Sequence, residues 1–340
     1  MLRHSADYRT LLWLAFMPTL AAISYTHPTW SLWLCPLGMY LAGCAGVIAH
    51  NHNHAGTFKN KRANAVMAAF LSVFYGYPTF GWIPTHNLNH HKFVNRPGDA
   101  TITWRHSKDN TLGIALSYFF VSAYYQSDPI KAYIRKARAG NPALFRQIVT
   151  QYVIWGGTHL GLFAIAVAMH GLKLGALVYT LSMAIPALWS MWIIMTFNYM
   201  QHVHTDPWSA HNHSRNFVSP VFNFLMFGNG YHTAHHENAG THWSKLADVH
   251  ATFADKIDPS LNCQSFVWWM FKVWILGAFM PSMRTTQIGR AAYDVGGGTE
   301  AKAKQLETAD VDAVEAGLNA DIVRTLDNRC HKTKTAAIEV

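Results

Sequence analysis

Residues 31–54 read SLWLCPLGMYLAGCAGVIAHNHNH, in which nineteen uncharged residues run straight into three alternating histidines. That length is close to the ~20 residues a membrane-spanning helix needs. If the helix continues past Ala49, His50 and His54 fall on one face at i and i+4, and His52 turns away by about 200°. The stretch therefore reads as a span that presents two imidazoles where it leaves the bilayer. Three further apolar runs, at roughly 10–26, 147–169 and 174–197, join the run at 30–49. The links around Thr26 to Thr29 and His170 to Lys173 are so short that each pair must turn back directly. The expected fold class is an all-α integral membrane protein with four transmembrane helices in two hairpins.

Composition agrees with this. Half of the 340 residues are apolar, and only 13% are charged, about half the usual share and a poor surface for a soluble protein. The segment between the hairpins, residues 50–146, holds twelve Lys and Arg, from Lys59 to Arg146, whereas the two tight turns hold one Lys and no Arg. By the positive-inside rule the 50–146 segment is cytoplasmic, and both termini lie on the same side, with Arg3 and Arg9 in agreement. Within it, Ala63 to Phe80 and Leu112 to Tyr125 are apolar but short or interrupted, and read as interfacial or re-entrant helices, as does Gln264 to Met280. Arg3, Arg9 and the first apolar run resemble a signal peptide, but no small-residue cleavage site closes the run, so retention as a span is expected. Cys35, Cys44, Cys263 and Cys330 form no CxxC pair, which argues against a disulfide framework or a cysteine zinc site. Gly296 to Gly298 mark a flexible joint. Residues 294–340 carry nine acids and six bases, a net −3, so the body carries +12 of the total +9. This divides the chain into a membrane domain, 1–293, and a flexible polar tail, 294–340. The basic body suits anchoring beside anionic lipid, and nothing suggests a nucleic-acid groove.

Twenty-one histidines are several times an ordinary share, and they cluster. After the first cluster come His86-Asn-Leu-Asn-His90-His91, where Pro84 and Thr85 mark a helix start, and His232-Thr-Ala-His235-His236. On an α-helix His86 and His90 share a face, with His91 flanking it at about 140°. Asn198 and His202 stand four residues apart at the end of the fourth span and offer one nitrogen ligand and one amide that can hold a metal-bound water. Nine histidines and an asparagine are too many for one metal, and imidazole alone does not choose among iron, zinc, copper and nickel. His4, His27, His106, His159, His170 and His250 read as amphipathic surface residues. His204, His211, His213 and His242, closer to the clusters, read as supporting or structural.

These motifs resemble the membrane fatty acid desaturase and hydroxylase superfamily, whose mark is an HxxxH or HxxxxH box, an HxxHH or HxxxHH box, an NxxxH element and a final HxxHH box. All four occur here in that order. The resemblance covers roughly residues 10–280, and Asn198 through Trp243 is most similar to bacterial fatty acid desaturase-type enzymes. It implies four spanning helices under a cytoplasmic helical cap that carries the histidine boxes, in a bacterial inner membrane. It also implies two iron ions held by His50, His54, His86, His90, His91, His202, His232, His235 and His236, with Asn198 acting through a water. The second box departs from many relatives in having three residues, not two, before its HH pair, which puts the role of His86 in question. No His-Pro-Gly-Gly motif of a fused cytochrome domain is present, so electrons are expected from a separate ferredoxin, rubredoxin or cytochrome-type protein.

The implied reaction uses dioxygen to remove hydrogen from a fatty acid, fatty-acyl thioester or lipid and leaves an alkene, with hydroxylation as a neighbouring outcome. Oxidative decarboxylation of a free fatty acid to a terminal alkene competes with it, and would require the carboxylate near the metals, held by Arg215 or Lys245. A membrane metal or haem carrier is disfavoured, because the clusters sit at span ends and the spans carry almost no charge. Zinc hydrolysis lacks an HExxH motif.

Overall fold

Pro28 starts a single 3-10 turn, Pro28–Trp30, on which His27 stacks against Trp30 with ring centroids 4.6 Å apart. The turn joins helix α1 (Asp7–Thr26) to α2 (Ser31–His54) and forms the first hairpin. The computed structural model describes residues 1–294, and the polar tail read from the sequence lies outside them apart from Asp294.

Among the described residues, two helices are long and apolar enough to cross a membrane, Pro28–His54 and Pro142–His202. The second, 61 residues long, is not one rod. Gly171 has φ 73° and ψ 167°, a region open essentially to glycine alone. There the chain reverses: the His159 ring and the Tyr179 hydroxyl, twenty residues apart and ~30 Å apart along a straight helix, lie 3.0 Å from each other. Its limbs are residues 142–170 and 172–202, so that α6 (Pro142–Tyr179) contains the reversal, and the second limb continues through a π-helical turn into α7 (Ile185–His202). The two hairpin turns meet, as His170 Nε2 donates to the Tyr25 carbonyl (2.7 Å) and the Tyr25 hydroxyl donates to the Leu162 carbonyl (3.0 Å). His159 and His170 are therefore hairpin clamps, not the surface residues expected. A helical repeat shows which face a residue is on, but not that a second limb folds back over that face.

At their other ends α2 and α7 run side by side. Ser190 Oγ donates to the Ala42 carbonyl (2.5 Å), and a Cβ on Gly46 would stand 2.6 Å from Ile194 Cγ1, so glycine is what lets the two backbones approach. Cys44, Ala45, Val47, Ile48, Tyr199 and Met200 form the buried core of this contact. The outer faces have no such cover. Only 17% of the most apolar window in Pro142–His202 is buried, an uncovered apolar surface far larger than soluble monomers carry.

Helix α3 (Lys61–Tyr75) is started by Asn60, whose side chain accepts from the Arg62 and Ala63 amides, and is ended by Gly76 at φ 93°. The chain then leaves at 98° into α4 (Thr79–Phe93). Helix α5 (Leu112–Gly140) is longer than the Leu112 to Tyr125 stretch expected, because loss of apolar character at Gln126 does not end a helix where Lys, Arg and Ala follow. Short helices α8 (Pro220–Leu225), α9 (His232–Glu237) and α10 (Leu246–Ala251) complete the region beyond α7, with α11 (Phe266–Phe279). A two-residue parallel pairing, Asn216 with Asn262 and Phe217 with Cys263, ties the loop after α7 to the loop before α11. Trp269, Val273 and Trp274 of α11 enter the core, while Trp268, Phe271 and Phe279 stay exposed.

Candidate metal centre

The C-terminal ends of α2 and α7, the whole of α9 and the second half of α4 meet at one point, and each brings histidine. Nine rings sort into two groups, His50, His54, His86, His91 and His235 in the first and His90, His202, His232 and His236 in the second. Within each group the ligand nitrogens all lie within 4.8 Å of one another. In the first, the His50–His86, His50–His235, His91–His86 and His91–His235 Nε2 pairs are 2.9, 3.0, 3.0 and 3.0 Å apart. In the second, His90–His202, His202–His232 and His236–His232 are 3.0, 2.9 and 3.1 Å apart. His52 points elsewhere: its Nε2 donates to the Asn64 carbonyl (3.1 Å) and its Nδ1 faces Thr57 Oγ1 (2.9 Å).

The second box divides between the groups in a way its spacing on an α-helix would not give. His86 joins His91, and His90 goes to the other group. Residues Ile83–His90 form a π-helix, whose i→i+5 bonding widens the turn and brings His86 and His91 into line. The additional residue in this box is absorbed by that wider turn.

Not all of these nitrogens can satisfy one another. A neutral imidazole has one N–H, and in three of the rings the outer nitrogen already uses it: His90 Nδ1 donates to Asp99 Oδ2 (2.8 Å), His202 Nδ1 to the His213 carbonyl (3.1 Å) and His50 Nδ1 to Asn51 Oδ1 (3.1 Å). That fixes the tautomer of these three and leaves the Nε2 of each with a lone pair facing inward. Burial first, then the neighbouring rings, drives His232, His235 and His236 well below the ordinary imidazole range, so they are neutral. His54 Nε2 is buried without a hydrogen-bond partner. Two groups of inward lone pairs about 3 Å apart fit two transition-metal ions, since ligands ~2.1 Å from one centre and about 90° apart are ~3.0 Å from each other.

A carboxylate that sequence reasoning missed supports the second group. Asp99 is 1% exposed and accepts from His90 Nδ1, the Asn95 amide (2.7 Å), the Thr101 amide (2.7 Å) and Thr101 Oγ1 (2.6 Å). Burial raises its carboxyl, but the His90 ring and the hydrogen bonds from His90 and Thr101 outweigh that and hold it at about 2. The only hint in the sequence was an Asp after the Pro97-Gly98 turn. His213, kept apart from both groups, lies with its ring 5.4 Å from His236 and its Nε2 3.6 Å from Glu237. His242 is buried against Asp7 (3.2 Å) and stacks on His4, which ties the N-terminus to the loop before α10. His250 is also buried and is not the surface residue expected, whereas His4 stays exposed while it stacks on His242.

A cavity of about 90 Å³ opens beside the centre and touches both groups, through His50 and His86 of one and His232 of the other. Val47, Tyr75, Trp82, Ile130, Ile194, Met195 and Phe197 give it a largely apolar wall, and Asn198 lines it with its amide nitrogen donating to the Tyr118 hydroxyl (2.8 Å). Arg215 and Lys245 do not line it. Arg215 is buried elsewhere, donates to the Met200 and Val203 carbonyls (2.6 and 3.0 Å) and lies over the Trp269 ring. Lys245 is exposed and faces Asp248 (3.5 Å). Their basic character was legible, but the partners their side chains take were not.

No curated protein and no solved structure matches the chain. A model of the fatty acid desaturase family, however, matches residues 28–268, which takes in the second span, all nine grouped histidines and Asn198. The chain belongs to the fatty acid desaturase family, and is by that membership an oxidoreductase acting on fatty-acyl lipid in a membrane.

Proposed function

We propose that this protein is an oxygen-dependent di-iron oxidase that desaturates a fatty-acyl chain. The observation that supports it best is the pair of histidine groups opening onto one largely apolar cavity. His50, His54, His86, His91 and His235 would hold one iron, and His90, His202, His232 and His236 the other, with Asn198 placed by Tyr118 to hold a water. Two irons, when bound, supply dioxygen reduction and abstraction of hydrogen from an unactivated methylene. The chain's own residues do the rest. Asp99 keeps the proton of His90 on Nδ1, the His213 carbonyl does the same for His202, and Val47, Ile194 and Phe197 hold the acyl chain and exclude water.

In this reading the two hairpins give four spans. Their turns meet on one face, and the basic 50–146 segment and the histidines lie on the other, cytoplasmic, face of a bacterial inner membrane. A separate ferredoxin, rubredoxin or cytochrome-type protein delivers electrons there. The domain limits are 1–293 for the membrane body and 294–340 for a tail.

Oxidative decarboxylation and hydroxylation use the same site. For decarboxylation, the placement of Arg215 and Lys245 removes the two cations invoked to hold a carboxylate beside the metals. The test is expression with an electron donor, feeding of saturated free acids and thioesters separately, and gas chromatography of lipids and headspace. An alkene at constant carbon number is expected. A volatile alkene one carbon shorter, made from the free acid alone, would replace desaturation by decarboxylation.

A further inference from the structure

Away from the metal centre, Arg9 stands in the first turn of α1 with its guanidinium enclosed by aromatic rings. Its Cζ lies over Phe224 (4.5 Å), Phe227 (4.8 Å) and Trp243 (4.4 Å). The enclosure is held from outside: the Trp243 indole donates to Asp7 Oδ1 (3.1 Å), the Phe227 carbonyl accepts from Asn51 Nδ2 (3.1 Å), and the Trp13 ring stands edge-on to Phe224 and Phe227, with centroids 6.0 and 5.7 Å away. Among the described residues no carboxylate pairs with Arg9 and no acceptor takes its N–H groups. Asp7, two residues away, is buried and turned to others, Oδ1 accepting from Thr10 and Trp243 and Oδ2 from His242. The Nε of Arg9 is buried, but the side chain as a whole is only half-buried, so its outer Nη edge is what reaches the surface.

The level of this edge in the molecule is fixed by α2. Tyr40 Oη and Cys44 Sγ both donate to the Leu225 carbonyl (3.3 and 3.4 Å), and Trp13 Nε1 donates to Tyr40 Oη (3.1 Å), so α1 and α8 cross α2 near Cys44, about 9 Å along the helix from His50 and inside its uncharged run. Leu12 and Phe16, three and seven residues on from Arg9 and so on its face of α1, are exposed, as are Val221 and Phe224 of α8. Ring faces stabilise the charge of a guanidinium but accept nothing from its N–H edge, and a half-buried cation without an anion is costly. What meets an N–H fork above an apolar rim is an anionic oxygen group carried on hydrocarbon. We infer that Arg9 is a binding site for a membrane phospholipid, its Nη edge taking two phosphate oxygens and the acyl chains lying along Leu12, Phe16 and Val221. The rings set the fork in place beforehand, so little side-chain freedom is lost on binding. This site belongs to the lipid around the body and does not depend on the oxidase reading.

The test uses the full chain purified in dodecyl maltoside and equilibrium binding of labelled dioleoylphosphatidylglycerol, with dioleoylglycerol as the probe that lacks the phosphate and inorganic phosphate as the competitor that lacks the chains. Arg9→Gln, which keeps most of the side-chain volume, is expected to weaken phosphatidylglycerol roughly ten- to a hundredfold and to leave dioleoylglycerol unchanged. Arg62→Gln removes an exposed cation outside the ring enclosure and is expected to bind both lipids as wild type does. Should Arg9→Gln fail to elute as a folded, monodisperse protein, Phe224→Leu carries the test: it opens the exposed wall of the enclosure, leaves the buried Phe227 in place, and is expected to weaken phosphatidylglycerol roughly three- to tenfold. An equal loss in Arg62→Gln would mean diffuse attraction by a basic body, and an equal loss of dioleoylglycerol in Arg9→Gln would mean packing alone. Displacement of phosphatidylglycerol by inorganic phosphate, unmatched by chloride at the same ionic strength, would mean a site for a soluble anion. Each of these results overturns the inference, as does wild-type binding of phosphatidylglycerol in the folded variants.

Discussion

Replacing Asp99 by Asn tests how the second histidine group is held. The carboxylate uses both oxygens fully, Oδ2 taking the His90 ring and the Asn95 amide and Oδ1 taking the Thr101 amide and hydroxyl. An asparagine must turn its NH₂ toward one pair. Facing Thr101, it can donate to a rotated hydroxyl but leaves the Thr101 amide without an acceptor, at a cost of about 1–3 kcal/mol. Facing His90, it opposes the Asn95 amide and makes His90 carry its proton on Nε2, which removes the lone pair directed at His202 and His232. Either way His90 loses its anionic partner. The expected result is a protein that inserts normally and whose bound iron, titrated by chelator competition and read by elemental analysis, is weakened about 10- to 100-fold. Asp99→Glu, which keeps the charge but lengthens the side chain in a site with no exposure, should recover little. Iron affinity within twofold of wild type in Asp99→Asn would refute the claim that this carboxylate fixes the His90 tautomer.

Two other substitutions follow from the same geometry. His54→Ala should lower bound iron and abolish oxidation, while His52→Ala, which removes a ring facing Thr57 and Asn64, should keep the iron and cost about 1–2 kcal/mol in thermal stability; equal loss of iron in both would mean that the helical phase of α2 at its end is wrong. Deleting Asn87 from the π-helix turns the spacing of His86 and His91 from i+5 into i+4, so an α-helix would align them again and iron content should survive; a deletion as damaging to iron binding as His86→Ala would show that the wide turn is required for more than alignment.

Sequence made the histidines legible because helical phase converts spacing into a shared face, and that argument needs only one helix at a time. It placed His50 with His54 and set His52 aside, as the structure also does. It could not assign partners across helices. His90 pairs with His202 at 112 residues' separation, and His50 with His235 at 185, distances that depend on how the hairpins pack. The hairpins were likewise legible as apolar runs with short links, whereas the clamps between them were not. His170 reaches the Tyr25 carbonyl only because the two turns meet. Arg215 carries the same lesson in reverse: its charge suggested a ligand, and its burial against backbone carbonyls shows a cation spent on closing the loop after α7.

The π-helix explains how one short segment can serve both groups. On an α-helix His86 and His90 would lie together, and His91 would be the one set apart. Widening the turn by one residue exchanges those partners, sending His86 to His91 and freeing His90 to face α7 and α9. The exchange is held from outside the helix. His90 is fixed by Asp99, which the Pro97-Gly98 turn returns to it nine residues later, and Asn95 ties that turn to the end of α7 through the His202 carbonyl (2.9 Å). His90 and His202 are thus set by one continuous network of hydrogen bonds, while His86 and His91 are brought into line by the winding of the helix, with Trp82 packed against His86 and His236 against His91. The second group should therefore keep its geometry when the winding of α4 is disturbed, and the first should be the one that yields.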